Sequence, residues 1–509
     1  MDCGGKRSAT PLSLLAAAAL AFAGAKAASR FACRRSPKWG RESARLAVSN
    51  WGMSSWLESV RRKRLAALGA GVLLLLATWM LWSLLAPHKD PFVEAIHKRG
   101  YPATPAELDA WYLAVPPAEN VALVYTNAIA GLTNTAGPIT NFTSKNWLPA
   151  IGEGLSPEER SELKAVLASN QAALSLLYAA PASGRSRYPI HLEDGPATML
   201  PHLAKIKQAV SLLSAEALLH ATEGDAEKAT QAFLVAGRLA DSLSEEPVLI
   251  SQLVRYADWA ILLPRLERAL SLTAFTDGQL ASLQAIVGGA ERPQAALRAM
   301  VGEQAINSSV FTDRKMAADT FREMQGSRGR AGDLLMAASL TLFRVSGLLE
   351  KDKAFFCDNM GKYVAALEPP YPARFAASEQ AALATNPPSQ LYIFSRMFLP
   401  GLVRFHIREA DHVALVRVAA TALAIERFRL AHTNTLPGTL EQLIPACCQA
   451  VPADPYDGKP LHYKTHGASY AVYSIGSDGH DDGGVVWGSN YLKVPQDVAF
   501  VVKHREGTP

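Results

Sequence analysis

From Leu65 to Ala86 the chain runs through 22 residues, LAALGAGVLLLLATWMLWSLLA, without one charged side chain. As a helix rising about 1.5 Å per residue, this stretch spans roughly 33 Å, the thickness of a bilayer's hydrocarbon core. A buried globular helix rarely needs so long an uncharged run. Trp79 and Trp82 stand near its distal end, where amphipathic rings favour the membrane interface, and Pro87 ends the helix. Arg61, Arg62, Lys63 and Arg64 abut the near side, while Lys89, Lys98 and Arg99 on the far side are partly offset by Asp90 and Glu94. This bias predicts a single-pass protein with its N-terminus in the cytoplasm and its body outside.

The same basic cluster explains the chain's overall charge. Of 51 Lys/Arg and 46 Asp/Glu, the first 64 residues hold 13 and 3, which leaves 38 and 43 from Leu65 onward. The body is therefore net acidic, by about five charges, and a nucleic-acid partner loses its electrostatic footing. A second apolar stretch, Leu12 to Ala25, follows Lys6 and Arg7 and resembles a cleavable signal peptide. Cleavage there would strand a basic segment outside the cell. Translation from Met53 instead gives a compact signal anchor and leaves residues 1–52 out of the mature protein.

From Asp90 to about Ile407, Ala and Leu recur at helical spacing. Ser156, Pro157 and Glu159 form a capping box opening a helix to about Ala179. Further helices are expected over Met199–Thr222, Ala226–Leu243, Pro247–Leu272, Gln279–Val287, Gln294–Ile306 and Leu334–Leu349. In AEALLHATEGDAEKATQAFLVAGRLA the turn at Gly224 and Asp225 is followed by Ala229, Phe233 and Ala236, and this small, aromatic, small order resembles the second helix of a tetratricopeptide unit. No recurrence at that repeat's period flanks it. An irregular helical-repeat body, a surface for other proteins, is the expectation.

Local signatures of chemistry are sparse. No GxxxxGK[ST], HExxH, GxSxG or paired CxxC occurs. His406, Glu409 and His412 in FHIREADH share a helix face at a spacing of three, which suits metal ligands, and Glu94 with His97 forms a second ExxH pair. With 12 His and 26 Glu in 509 residues, about 0.6 such pairs arise by chance, so a solvated charged face is the expected role. Cys3, Cys33, Cys357, Cys447 and Cys448 are too scattered for a disulfide framework. Cys357 can pair with either member of the doublet or remain a small packing residue.

Beyond Asp411 the pattern changes. A helix over Ala414–His432 leads to Leu436 and Pro437, a short helix in TLEQLIP capped by Thr439 and Gln442, a turn at DPYDGKP, and two alternating segments, LHYK and YAVYSIG, joined through THGAS. SDGHDDGG closes the unit. Phe428, Leu436, Pro437, Asp454, Pro455, Tyr456, Tyr463, and the run Tyr473, Ser474, Gly476, Asp478, Gly479 together make this order similar to the C-terminal part of the major pseudopilins of type II secretion systems. That resemblance implies a small sheet packed on the helix. It also implies a calcium site in the aspartate loop, with Asp478, Asp481 and Asp482 as ligands. In a pseudopilin the membrane helix runs straight into this helix; here the whole helical body intervenes, so filament assembly is not expected.

The predicted fold is mainly α, with a single N-terminal transmembrane helix, an irregular repeat-like body and a small α+β C-terminal module. Its parts are a basic cytoplasmic tail (1–64), the membrane helix (65–86), the body (90–408) and the pseudopilin-like module (411–509). The functional expectation is a bacterial envelope protein that binds other envelope proteins as a scaffold. Two alternatives stay open: an accessory of a secretion or pilus-like system, and an envelope enzyme whose pocket gathers scattered residues of the helical body.

Overall fold

The computed structural model describes residues 60, 63–72, 74, 75, 78, 90–133, 147–325, 338–484 and 497–504. Met1–Asp90 and Pro91–Pro509 are two separate compact units. In the first, residues 63–72 are helical, and Leu65, Leu68, Val72, Leu74 and Leu75 are each more than half exposed. The basic tail up to residue 59, with Cys3, Cys33 and Met53, lies outside the described residues, as do Trp79 and Trp82. Among the described residues no helix is long and apolar enough to cross a membrane.

The second unit is mainly helical and ends in a three-stranded antiparallel sheet. It opens with α1 (Pro91–Lys98), α2 (Pro105–Trp111) and α3 (Val121–Ala130), followed by α4 (Pro157–Ser169) and α5 (Gln171–Tyr178). The Ser156 capping box forms: its hydroxyl accepts from Glu159 N at 3.2 Å, and the Glu159 carboxylate accepts from Ser156 N at 2.8 Å. The single helix expected from there to Ala179 instead breaks at Asn170. That buried side chain accepts from Thr133 N and donates to Val166 O, both at 3.0 Å, offering the backbone an alternative to another helical turn.

Next comes a helical hairpin, α6 (His202–Thr222) and α7 (Ala226–Asp241), at the place read from Gly224 and Asp225. Gly224 has φ +81°, the left-handed geometry glycine adopts without cost, and Asp225 caps α7 by accepting from Lys228 N at 3.0 Å. Ala229 and Ala236 allow close approach, and Phe233 is buried between them, worth about 1.5–3 kcal/mol. The central α8 (Leu249–Leu272) packs on α6 and α7 and is buried on almost every side. Then follow α9 (Asp277–Gly288), α10 (Pro293–Thr312), α11 (Arg314–Gln325), a helical segment at 338–345, α12 (Leu348–Ala366), α13 (Ala373–Leu383), α14 (Ile393–Leu402) and α15 (Phe405–Ala431).

α15 begins nine residues before the helix expected at Ala414. The boundary expected between body and module, at 408–411, therefore falls inside one helix. Body and module also share a core: Val416, Ala419 and Leu423 of α15 join Trp259 and Leu263 of α8, and Tyr470 and Val472 of the sheet, in one apolar cluster. A second cluster gathers α10, α12 and α14 around Met300, Phe311, Phe356 and Phe394.

The sheet runs β1 (His462–His466), β2 (Ser469–Ser474), β3 (Val498–Val502), with β2 central. β1 and β2 are the expected pair, in register His462 to Tyr473 and His466 to Ser469, closed at Gly467. β3 was not foreseen; it pairs Tyr470 with Val502 and Ser474 with Val498. The TLEQLIP segment forms a short 3-10 helix, Leu440–Leu443, but Gln442 reaches Gly438 N at 2.8 Å instead of completing a box with Thr439. Cys357 and Cys447 are buried in different apolar clusters, and among the described residues no disulfide joins Cys357 to the doublet.

Candidate functional site

Burying a charged side chain is costly unless partners compensate it, so buried ionic clusters mark places where a fold has invested in specificity or chemistry. The most developed cluster here lies where α7, α8, α13, α15 and the turn before α10 meet. Arg255, Tyr256, Glu291, Arg292, Tyr371, Arg374, Glu409 and His412 line a recess of about 10 Å³, room for roughly one water molecule.

Two of the three residues singled out in FHIREADH are here, and they are not a solvated face. His406, Glu409 and His412 are all buried. Because α15 starts early, the segment crosses the unit's interior. Glu409 accepts from Arg374 Nη1 at 2.8 Å, and the same guanidinium donates to Pro369 O at 2.9 Å and Pro293 O at 3.2 Å. Burial pushes the Glu409 carboxyl above its ordinary range, with Arg374 pulling the other way. His412 Nε2 lies 3.1 Å from Ala290 O, so Nε2 carries the proton, and the ring stacks on Tyr256 with centroids 4.6 Å apart. Burial, aided by Arg255, pushes the His412 pKa down to about 3. His406 lies apart, against Phe375 at 5.7 Å between ring centroids.

Three further arginines complete the cluster. Asp241 bridges two of them, accepting from Arg255 at 2.7 and 2.9 Å and from Arg292 at 2.7 and 3.0 Å. Arg417 grips Glu291 with two hydrogen bonds, at 2.6 and 2.9 Å, and donates to Ala453 O at 2.7 Å. The Tyr371 ring has Arg374 at 5.5 Å and Arg417 at 5.9 Å from its centroid. Sequence reading missed these arginines because their carboxylate partners lie 14, 51 and 126 residues away, on other elements.

Chemically the arrangement is closed. His412 spends its one proton on a carbonyl and stays neutral across the physiological range, so it can neither shuttle protons nor present Nε2 to a metal. Glu409 is committed to Arg374. The fork-shaped bonds fix geometry between elements, and the recess is too small for an organic substrate.

A second constellation has the residue types of a hydrolase without the order. Ser251 Oγ donates to Glu246 Oε1 at 2.5 Å, and His202 Nε2 lies 3.0 Å from Glu246 Oε2, with Tyr188 stacked on His202. The carboxylate sits between serine and histidine. No imidazole takes the serine proton, and Ser251 is fully buried.

The remaining sequence candidates go elsewhere. Glu94 pairs with Lys98 at 3.0 Å and His97 with Glu107 at 2.9 Å, so the second ExxH motif makes no paired site. In the aspartate loop, Asp478 accepts from His480 N at 3.1 Å and Asp481 from Gly483 N at 2.8 Å, both turn-forming bonds, and Asp481 lies 3.4 Å from His462 Nδ1. Asp482 N donates to Asp497 at 3.4 Å. Lys464 Nζ donates to Gly483 O at 2.9 Å, placing an ammonium over the loop. No group of three or more His, Cys, Asp or Glu side chains among the described residues is arranged to hold a metal ion.

Several residues that carry the pseudopilin resemblance interlock. Buried Asp454 accepts from Tyr456 N at 2.9 Å, Ser474 Oγ at 3.0 Å and Ile475 N at 2.9 Å, tying the DPYDGKP turn to the end of β2. Tyr463 donates to Pro437 O at 3.0 Å. Their work in this chain is structural. A scan against protein-family models, a search of curated proteins and a search of solved structures each return no match.

Proposed function

We propose that this chain is a scaffold of the bacterial envelope, held at a membrane by Leu65–Ala86, whose helical and α+β parts bind other envelope proteins outside the cytoplasm. The observation that carries the reading is the filled cluster around Arg374 and Glu409. Where an enzyme of this architecture would open a polar pocket, this unit inserts its own guanidinium groups and leaves space for about one water. The exposed leucines at 65–75 support the anchor, because large apolar side chains left uncovered by their own chain favour lipid or a partner.

The test has two arms. The protein should stay with membranes through alkaline washing, and a reporter enzyme active only outside the cytoplasm should work when fused after Pro509. Release by alkali, or a silent reporter, sinks the anchor. For the scaffold, crosslinking followed by purification from solubilised membranes should return the same envelope partners in independent preparations of the wild-type protein, and recovery of none overturns that arm. Recovery of secretion-system components there would favour the accessory reading.

A further inference from the structure

The polar atoms around the recess between α8, α13 and α15 are unequally satisfied. Its guanidinium groups have acceptors: Arg374 donates to Glu409, Pro293 O and Pro369 O, and Arg255 and Arg292 both grip Asp241. Arg255 also donates to Ala290 O. Two acceptors have no donor. Glu409 Oε2 and His412 Nδ1 are buried and have no hydrogen-bond partner among the described residues. They belong to residues three apart on one face of α15, and both residues line the recess. We propose that the recess is a binding site for one water molecule, which donates one proton to Glu409 Oε2 and the other to His412 Nδ1.

The contacts already made decide which atoms are left over. Arg374 engages Glu409 through Oε1, at 2.8 Å, so the second carboxylate oxygen still needs a donor. Ala290 O takes the proton of His412 Nε2, so Nδ1 carries the ring's lone pair and can only accept. Stacking on Tyr256, with centroids 4.6 Å apart, holds the ring in that orientation. Two buried acceptors without donors are costly, and more so than immobilising a single water.

Size and charge select the occupant. The recess, about 10 Å³, admits one water and no organic molecule. An anion needs donors, whereas the unanswered atoms are acceptors. A cation brings donors but enters a cluster in which Arg255, Arg292, Arg374 and Arg417 already outnumber Asp241, Glu291 and Glu409. A neutral molecule with two donors meets both demands, and its oxygen keeps lone pairs for the guanidinium groups that line the recess. Arg292, half exposed, marks the side open to solvent.

A crystal structure of the full-length chain, at a resolution that shows ordered water, tests this. One peak should stand within about 3.2 Å of both Glu409 Oε2 and His412 Nδ1. A map with no peak there overturns the proposal, as does a peak in reach of only one of the two atoms or one that refines as an ion. So does a map in which Tyr371, whose side chain stands beside the Glu409 carboxylate, supplies the Oε2 proton itself. His412→Phe should lose the peak, and its retention in that variant counts against a bridge between the two acceptors. In solution, nitrogen NMR of the full-length chain carrying isotope-labelled histidine should place His412 Nδ1 upfield of a free acceptor nitrogen, and Tyr371→Phe should leave it there. A free-acceptor position in either protein overturns the proposal. Should a variant not fold, the wild-type map and the wild-type resonance decide alone.

Discussion

Replacing Arg374 by methionine should be among the most damaging single changes in the second unit. The substitution keeps much of the side chain's bulk but leaves Glu409 charged and buried with no cation, only the Tyr371 side chain beside it, and deprives Pro293 O and Pro369 O of their donor. Orphaning one half of a buried ion pair costs about 3–5 kcal/mol, more than the pair contributes over an apolar substitute. The loss should grow with pH, because Glu409 escapes the penalty by taking a proton. Between pH 5 and pH 8 it should rise by about 1.4 kcal/mol for each unit across which the carboxyl would have to ionise. The double variant Arg374→Met, Glu409→Leu should recover most of the loss, giving a coupling energy of at least about 2 kcal/mol. Urea denaturation of the four proteins at both pH values measures all of this. A single variant within about 1 kcal/mol of wild type, or a double variant no better than the single, would refute the reasoning.

Other expectations follow from particular contacts. Gly302→Ala should destabilise by at least about 2 kcal/mol in thermal or urea melts, since a Cβ there would stand 1.8 Å from Pro247 O. Asp454→Ala should cost about 3 kcal/mol and loosen exchange protection in β2 first, because three donors lose their acceptor. His412 is held neutral in the fold while an unfolded histidine titrates near 6.5. Its contribution is present above that pH and is lost as pH falls toward 3, by about 2 kcal/mol between 6.5 and 5. His412→Gln should flatten that part of the stability–pH profile. Fully buried Asp258 has neither oxygen hydrogen-bonded, and burial raises its pKa against a weak opposing pull from Lys207. Asp258→Asn should therefore gain stability that increases as pH rises above 3.8, measured by the same melts.

Local signals were legible and long-range ones were not. The capping box at Ser156, the turn at Gly224 and the start of α7 at Ala226 each depend on residues within one or two turns, and each appears where the spacing places it. The error at Asn170 came from a side chain bonding to Thr133, a partner that no local window contains. β3 was missed because it is five residues long and its Val501 amide is held by Glu267 on α8. The polar FHIREADH segment resembles a solvated face, yet Glu409 is answered by Arg374 and the neutral His412 by the carbonyl of Ala290, both far along the chain.

Those distant answers also bear on how the unit is built. Arg417 holds Glu291 with one side of its fork and Ala453 O with the other, so the turn before α10 and the segment entering the sheet are registered by one guanidinium. Arg374 does the same for α15 and for the carbonyls of Pro293 and Pro369. Apolar contacts alone would tolerate several relative placements of helices so rich in alanine, because small side chains give shallow, interchangeable ridges. Forked ion pairs that lose several kcal/mol when misaligned select one placement from that set. A buried cluster spanning α7, α8, α13 and α15 thus sets the relative placement of these helices from within.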